Sequence, residues 1–246
     1  MMALEMRMLE IVLPLCFIVL HGLLYNAVGS GVTDARGIDF GPVVMTWLDA
    51  RIPFLPPMVF PYMLAWFYPL FLVVALVKKR GVGILEIRRI FAAILLLELL
   101  CYCLWVAFPV KVGLRVDETA LAAHGWLGSL VLLNYEHATV WHACPSFHVA
   151  GPWFFYRTAQ LYGVRFIRAF LVMFVAIAVS TVTIRIHYLM DIVVGLAVSE
   201  LVFRTVLCRF EERKMFASLP SRAVVGAYLL LLVLATAAAG ILSHGP

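Results

Sequence analysis

His187 and Asp191 stand four residues apart in the stretch STVTIRIHYLMDIVVG (180–195). On a helix, that spacing puts both side chains on one face. A carboxylate so placed can hold one ring nitrogen of the histidine, fix its tautomer and leave the other nitrogen to attack or to bind. A second histidine, His148, lies in CPSFHVAG (144–151). It stands just inside a helix start, a position suited to a general acid. Ser146 and the backbone N–H groups of that helix start can bind an anion. Lys111, Arg115 and Arg185 bring positive charge to the same neighbourhood, and arginine favours forked contacts with oxyanions. Two histidines, a carboxylate and several cations are the parts of metal-free phosphoryl transfer, and no cofactor is implied. The competing use of these residues is a metal site of His142, His148, His187 and Asp191, which the flanking cations oppose.

The elements that must position these groups follow from composition. The chain has 246 residues, 64% of them hydrophobic and 13% charged. A soluble domain could not hide that much apolar surface, so the natural solvent is a bilayer. Runs long enough to span one, about 17–25 residues, occur at 11–28, 57–77, 90–109, 166–184, 188–207 and 223–242. A shorter run, 147–162, is interrupted by Arg157. The expected fold is an all-α, multi-pass membrane bundle of six to seven transmembrane helices. It forms one integral membrane domain over 1–246, with a catalytic core at 45–207 and an extra C-terminal helix at 223–242. Small residues near Ala27 and Gly29 offer a weak signal-peptide cleavage site, but Glu5 and Glu10 favour a retained first helix.

Charge orients the bundle. With the N-terminus inside, fourteen of the nineteen Lys and Arg residues fall on inner segments and five on outer ones, the asymmetry of a cytoplasmic inner face. The formal net charge of +5 is explained by the same bias and needs no acidic partner. Three of the five outer cations are Lys111, Arg115 and Arg185, beside the two motifs. In the long outer segment 110–146, GWLGSLVLL (125–133) is too short to span and suits an interfacial helix anchored by Trp126. Segment 29–56 reads as a loop with a short helix around 43–48. The five cysteines (16, 101, 103, 144 and 208) lack metal-ligand spacing, and Cys144 reads as a bystander. His21 reads as an interior residue, and His124, His137 and His142 belong to the outer loop. Glu98 and Glu200 are carboxylates within apolar runs, suited equally to pairing and to function. There is no internal repeat and no phosphate loop of the P-loop type.

PSFH (145–148) and HYLMD (187–191) resemble the second and third signature motifs of the type 2 phosphatidic acid phosphatase and vanadium haloperoxidase superfamily. More narrowly, STVTIRIHYLMD (180–191) resembles the inositolphosphotransferase branch, which contains fungal inositol phosphorylceramide synthases and bacterial relatives. ARIPFLPPMVFPYMLAWFYPLF (50–71) resembles that branch's region entering the second helix. The resemblance implies that His187 is the nucleophile forming a phosphohistidine and Asp191 its orienting carboxylate. It makes His148 the acid for the leaving alkoxide, and Ser146, Arg115, Arg185 and Lys111 phosphate-binding groups. Three departures stand out. Lys111 and Arg115 are four apart rather than seven, with no following Pro. Ser180 is followed by Thr181, not Arg, with Arg185 four residues on. Leu189 replaces the usual Pro.

The implied activity is that of a membrane-embedded lipid phosphate phosphatase or phosphotransferase. It would act on a lipid phosphate or lipid phosphodiester at the non-cytoplasmic face of the plasma (inner) membrane, with no nucleic acid partner. The alternative is an inositol or other polyol phosphotransferase making a phosphosphingolipid or phospholipid, with Thr181 and Thr183 binding the acceptor. A reading from another class is a transporter or lipid-binding membrane protein that uses Glu98, Glu200 and His21 as a relay. Such a protein usually has broken helices or repeated halves, and the sequence has neither.

Overall fold

A computed structural model of the chain describes residues 12, 15–25, 38–79 and 82–214. Among these residues all regular elements are helical, apart from one isolated bridge between Val110 and His142. The main helices are α1 (Leu15–Tyr25), α2 (Pro56–Val77), α3 (Ile84–Ala107), α4 (Gly125–His137), α5 (Phe147–Leu161), α6 (Ile167–Thr183) and α7 (Leu189–Val202). A π-helical turn, Phe203–Leu207, and a last helical segment, Cys208–Glu212, prolong α7. Two helices, α2 and α3, are long and apolar enough to cross a membrane, and α1 and α6 are shorter apolar helices. The expected span 223–242 and the signal-peptide question both lie outside the described residues.

Local sequence explains the irregularities. α2 alternates between 3-10 and α geometry, with 3-10 turns at Pro56–Met58 and Ala65–Phe67. Pro69 has no N–H for the Ala65 carbonyl, so the chain tightens before it. α3 starts six residues before the expected run because Arg88 and Arg89 are accommodated inside the helix, each 4% exposed. Arg89 reaches Glu211 at 3.1 Å and Glu86 at 3.6 Å. The interfacial helix expected at 125–133 forms as α4 and runs four residues further. The short helix expected around 43–48 forms as two turns, Gly41–Val44 and Asp49–Arg51.

α5 is the central helix, packed against α2, α3, α6 and α7. Leu72, Leu76, Ile94, Leu97, Phe154 and Phe155 form the middle of the core. A second cluster under α4 joins Val59, Tyr62, Val131, Tyr135, Ile184 and Ile186. At one end of the bundle, α3 and α6 finish where α5 and α7 begin. The two motif segments and the 110–115 stretch therefore meet there. Val112 N–H donates to the Val140 carbonyl, and Ser146 N–H donates to the Asp191 carbonyl at 3.1 Å. The Trp105 indole N–H bonds the Pro145 carbonyl at 2.9 Å.

α7 approaches the start of α5 closely. A Cβ on Gly195 would lie 2.8 Å from the Ser146 carbonyl oxygen. That contact is backbone, so it cannot swing aside. Gly195→Ala is expected to push the two helices apart and cost about 1–3 kcal/mol. Thermal unfolding of the purified protein in detergent would register this as a lowered midpoint, and an unchanged midpoint would contradict the close packing.

Candidate active site

α6 ends at Thr183, and the chain turns back sharply. The Thr181 carbonyl accepts both the Ile186 and His187 N–H groups, at 3.0 and 3.1 Å. Arg185 takes the left-handed conformation, φ 56°, to make that turn. His187 is thereby aimed back into the protein, with 6% exposure. Its Nδ1 lies 3.0 Å from the Ala143 carbonyl and 3.3 Å from Asp191 Oδ2. A carbonyl oxygen only accepts, so Nδ1 carries the proton and Nε2 holds the lone pair.

Asp191 is fully buried, and its Oδ2 also accepts the Tyr188 N–H at 2.8 Å. The Tyr188 hydroxyl takes the Gly113 N–H at 2.8 Å and donates to the Lys111 carbonyl at 3.2 Å. One residue thus joins the 110–113 segment to the start of α7. Beside Asp191 lies Cys144. Burial, reinforced by the Asp191 charge, pushes its thiol up to about 12, so it remains a neutral neighbour.

His148 stands in the first turn of α5. Its ring stacks on Tyr62 at 4.1 Å, meets Trp66 edge-on at 6.0 Å and lies 6.1 Å from the His187 ring. Ser146 is the N-cap of α5; its hydroxyl is buried and, among the described residues, has no hydrogen-bond partner. α5 and α7 both point their N-termini here, so two helix dipoles add positive potential at one place. Pro152 has no N–H to return to the His148 carbonyl, which loosens the helix beneath His148.

A family model of the PAP2 superfamily matches residues 31–205. The chain belongs to the PAP2 superfamily. Members of the PAP2 superfamily are phosphatases or phosphotransferases, and they act on lipid phosphates. The match reaches the superfamily as a whole and not its inositolphosphotransferase branch. Neither a curated protein nor a solved structure matches the chain.

Within this PAP2 chain the expected residues are gathered unevenly. His187, Asp191, His148 and Ser146 meet. Arg115 instead grips the end of α4, donating to the carbonyls of Tyr135 (2.9 Å), Ala138 (2.8 Å) and Thr139 (3.1 Å). Such a fork satisfies the bare carbonyls of a helix end. Burial draws its guanidinium below the ordinary arginine value, with Tyr25, Tyr62 and Tyr135 acting the other way. Lys111 is exposed and lies over the Trp141 ring at 5.3 Å. Arg185 approaches the Ile52 carbonyl at 3.4 Å. The Thr181 hydroxyl donates to the Ala178 carbonyl, and that of Thr183 to the Val179 and Ser180 carbonyls. Both are turned into their own helix. Glu200 is paired with Arg157 at 2.7 Å and Arg204 at 2.6 Å, and Glu98 with His21 at 3.1 Å.

Sequence reasoning missed Asp49, Tyr62 and Trp66. Asp49 is 3% exposed. Its Oδ1 accepts the Leu189 N–H at 2.7 Å, and its Oδ2 accepts the Thr46 N–H and hydroxyl. It therefore caps α7 from a distant loop. The signal was the Thr46–Asp49 spacing, which resembles the start of a local helix. Tyr62 and Trp66 are one turn apart on α2, a pattern that reads as ordinary apolar packing.

Asp191→Asn leaves a group of the same size but removes the charge behind His187. Turnover should fall by up to about 10⁴-fold, the cost of replacing the carboxylate that orients a catalytic histidine by an amide. Asp49→Ala should instead lower stability by about 1 kcal/mol through the lost cap. Steady-state turnover and thermal midpoints measured on both variants would separate the roles, and equal activity of Asp191→Asn and wild type would refute the assignment.

Proposed function

We propose that the protein is an integral membrane enzyme that moves the phosphoryl group of a lipid phosphate through a phosphohistidine on His187. The observation that carries this reading is the double anchorage of His187 Nδ1 by Ala143 and Asp191, which leaves Nε2 free to act, with the His148 ring 6.1 Å away. In the first step Nε2 attacks phosphorus while His148 protonates the departing alkoxide. In the intermediate the phosphoryl group is bonded to His187 and hydrogen-bonded to His148, whose rings lie 6.1 Å apart. Ser146, the first-turn N–H groups of α5 and the two helix dipoles stabilise its equatorial oxygens. Asp191 stabilises the charge that His187 acquires. Water then resolves the intermediate. No metal ion has a part in these steps.

The outer surface of the bundle supports a bilayer as solvent. Val172, Val175 and Val179 face outward on α6, as do Phe67, Leu70, Phe71 and Val74 on α2. Apolar faces of that extent belong against lipid rather than water. A pocket at helix ends receives a phosphate head while the tails stay in hydrocarbon. The charge bias supports a site on the non-cytoplasmic face. Transfer to inositol or another polyol is the finer reading suggested by the resemblance of 180–191. It needs an acceptor site other than the hydroxyls of Thr181 and Thr183, which are engaged with their own helix.

The activity test is incubation with phosphatidic acid, a ceramide phosphate and an isoprenyl diphosphate, with and without inositol or glycerol. Inorganic phosphate and lipid products would be quantified by mass analysis. Phosphate release is expected from wild type and should fall to background in His187→Ala. His148→Ala should lose about 10²–10⁴-fold on lipid phosphates and less on p-nitrophenyl phosphate, whose leaving group needs no proton. Near-normal turnover by His187→Ala would refute the mechanism.

Membrane orientation has its own test. A single cysteine at position 117, in a cysteine-depleted background, should react with an impermeant thiol reagent in intact cells, whereas one at position 79 should not. The reverse pattern would put the site on the cytoplasmic face.

A further inference from the structure

A second histidine–carboxylate pair lies beside the first and has no part in the chemistry above. Glu98 sits in the middle of α3 with no exposed surface. Its Oε1 is 3.1 Å from His21 Nδ1. The Tyr102 hydroxyl donates to the His21 carbonyl at 2.9 Å and lies 3.3 Å from the same Nδ1. The imidazole stacks on Phe147, the neighbour of His148, at 4.7 Å. Trp66 touches both histidines, with ring centroids 5.5 Å from His21 and 6.0 Å from His148. His21 and His148 line one cavity of about 350 Å³, walled by Tyr25, Tyr62, Trp66 and His137.

Burying a carboxylate in an apolar helix is expensive, and an apolar pair of similar volume would hold α1 to α3 at least as well. The arrangement at His21 repeats the one at His187: a carboxylate on Nδ1, a fixed ring and a second nitrogen left for other work. The difference is location: His21 lines the cavity together with His148, whose ring lies 6.1 Å from that of His187.

We infer that this cavity is the acceptor pocket and that His21, backed by Glu98, is the base for the second half-reaction. This inference rests on the phosphohistidine reading. The acceptor is a hydroxyl compound, water or a small alcohol, held between His21 and His148. Its oxygen bonds to phosphorus as the P–N bond to His187 breaks, and that electron pair returns to Nε2. The acceptor proton passes to His21 Nε2, and Glu98 stabilises the resulting imidazolium through the Nδ1–H. His148 serves the leaving group, His21 the incoming one.

The experiment is rapid-quench kinetics with the best substrate of the lipid phosphate panel, following both the leaving alcohol and phosphate bound to the protein. Glu98→Gln keeps a hydrogen-bond acceptor for Nδ1–H but not the charge. His21→Ala opens space that free imidazole can occupy. Both variants should release the leaving alcohol in a burst at the wild-type rate. Both should then resolve the phosphoprotein about 10²-fold or more slowly, so that it accumulates. Imidazole should restore the second step of His21→Ala, a response that a purely structural residue would not give. A normal intermediate in wild type, with the two steps unaffected or slowed together in both variants and no rescue, would overturn this inference alone. Absence of any phosphoprotein in wild type, or of turnover on the whole panel, would overturn the phosphohistidine reading and this one with it.

Discussion

The whole site hangs on the proton of His187 Nδ1. It is shared between the Ala143 carbonyl and Asp191, and the carbonyl permits only one tautomer. Ala143 can serve only if the 140–145 segment stays in place, and three separate contacts hold it. Val112 bonds Val140, Val110 bridges His142, and the Trp105 indole bonds Pro145. Asp191 can serve only if α7 begins at the right residue, and Asp49 and Tyr188 secure that start. The order of dependence runs from loop hydrogen bonds to helix register and from register to the basicity of one nitrogen.

Charge is sorted along the bundle to suit this. The site end carries two helix N-termini. The opposite end holds paired charges: Arg157 and Arg204 on Glu200, and Arg89 and the Tyr162 hydroxyl on Glu211. The two N-termini bring positive potential to the place where an anionic head group would bind. Arg115 contributes differently from the sequence expectation. It spends its fork on three carbonyls, so its role in this structure is to fix α4 as a wall of the cavity.

Helix positions were largely legible because apolar runs bounded by Pro, Gly and charge leave little choice. The runs 57–77, 147–162 and 166–184 agree with α2, α5 and α6 to within a residue or so. α3 was truncated because two arginines look like an end, whereas the distant Glu211 joins Glu86 in holding Arg89 inside. The meeting of His187 with Asp191, and of Ser146 with His148, was legible because their spacing is local. Arg115, Lys111, Thr181 and Thr183 were not, since a side chain's donors go to whichever carbonyl the fold brings near. Asp49 was invisible for the same reason: its partner, Leu189, is 140 residues away in the chain.

Gly195 meets Ser146 backbone to backbone. The separation of His148 and His187 is thus measured by main chain on both sides, not by side chains that repack. A ruler of that kind has almost no compliance. The outward residues of α6 and α7 can drift in evolution while the two histidines keep their spacing. Geometry at the site is mechanically insulated from whatever surrounds the bundle.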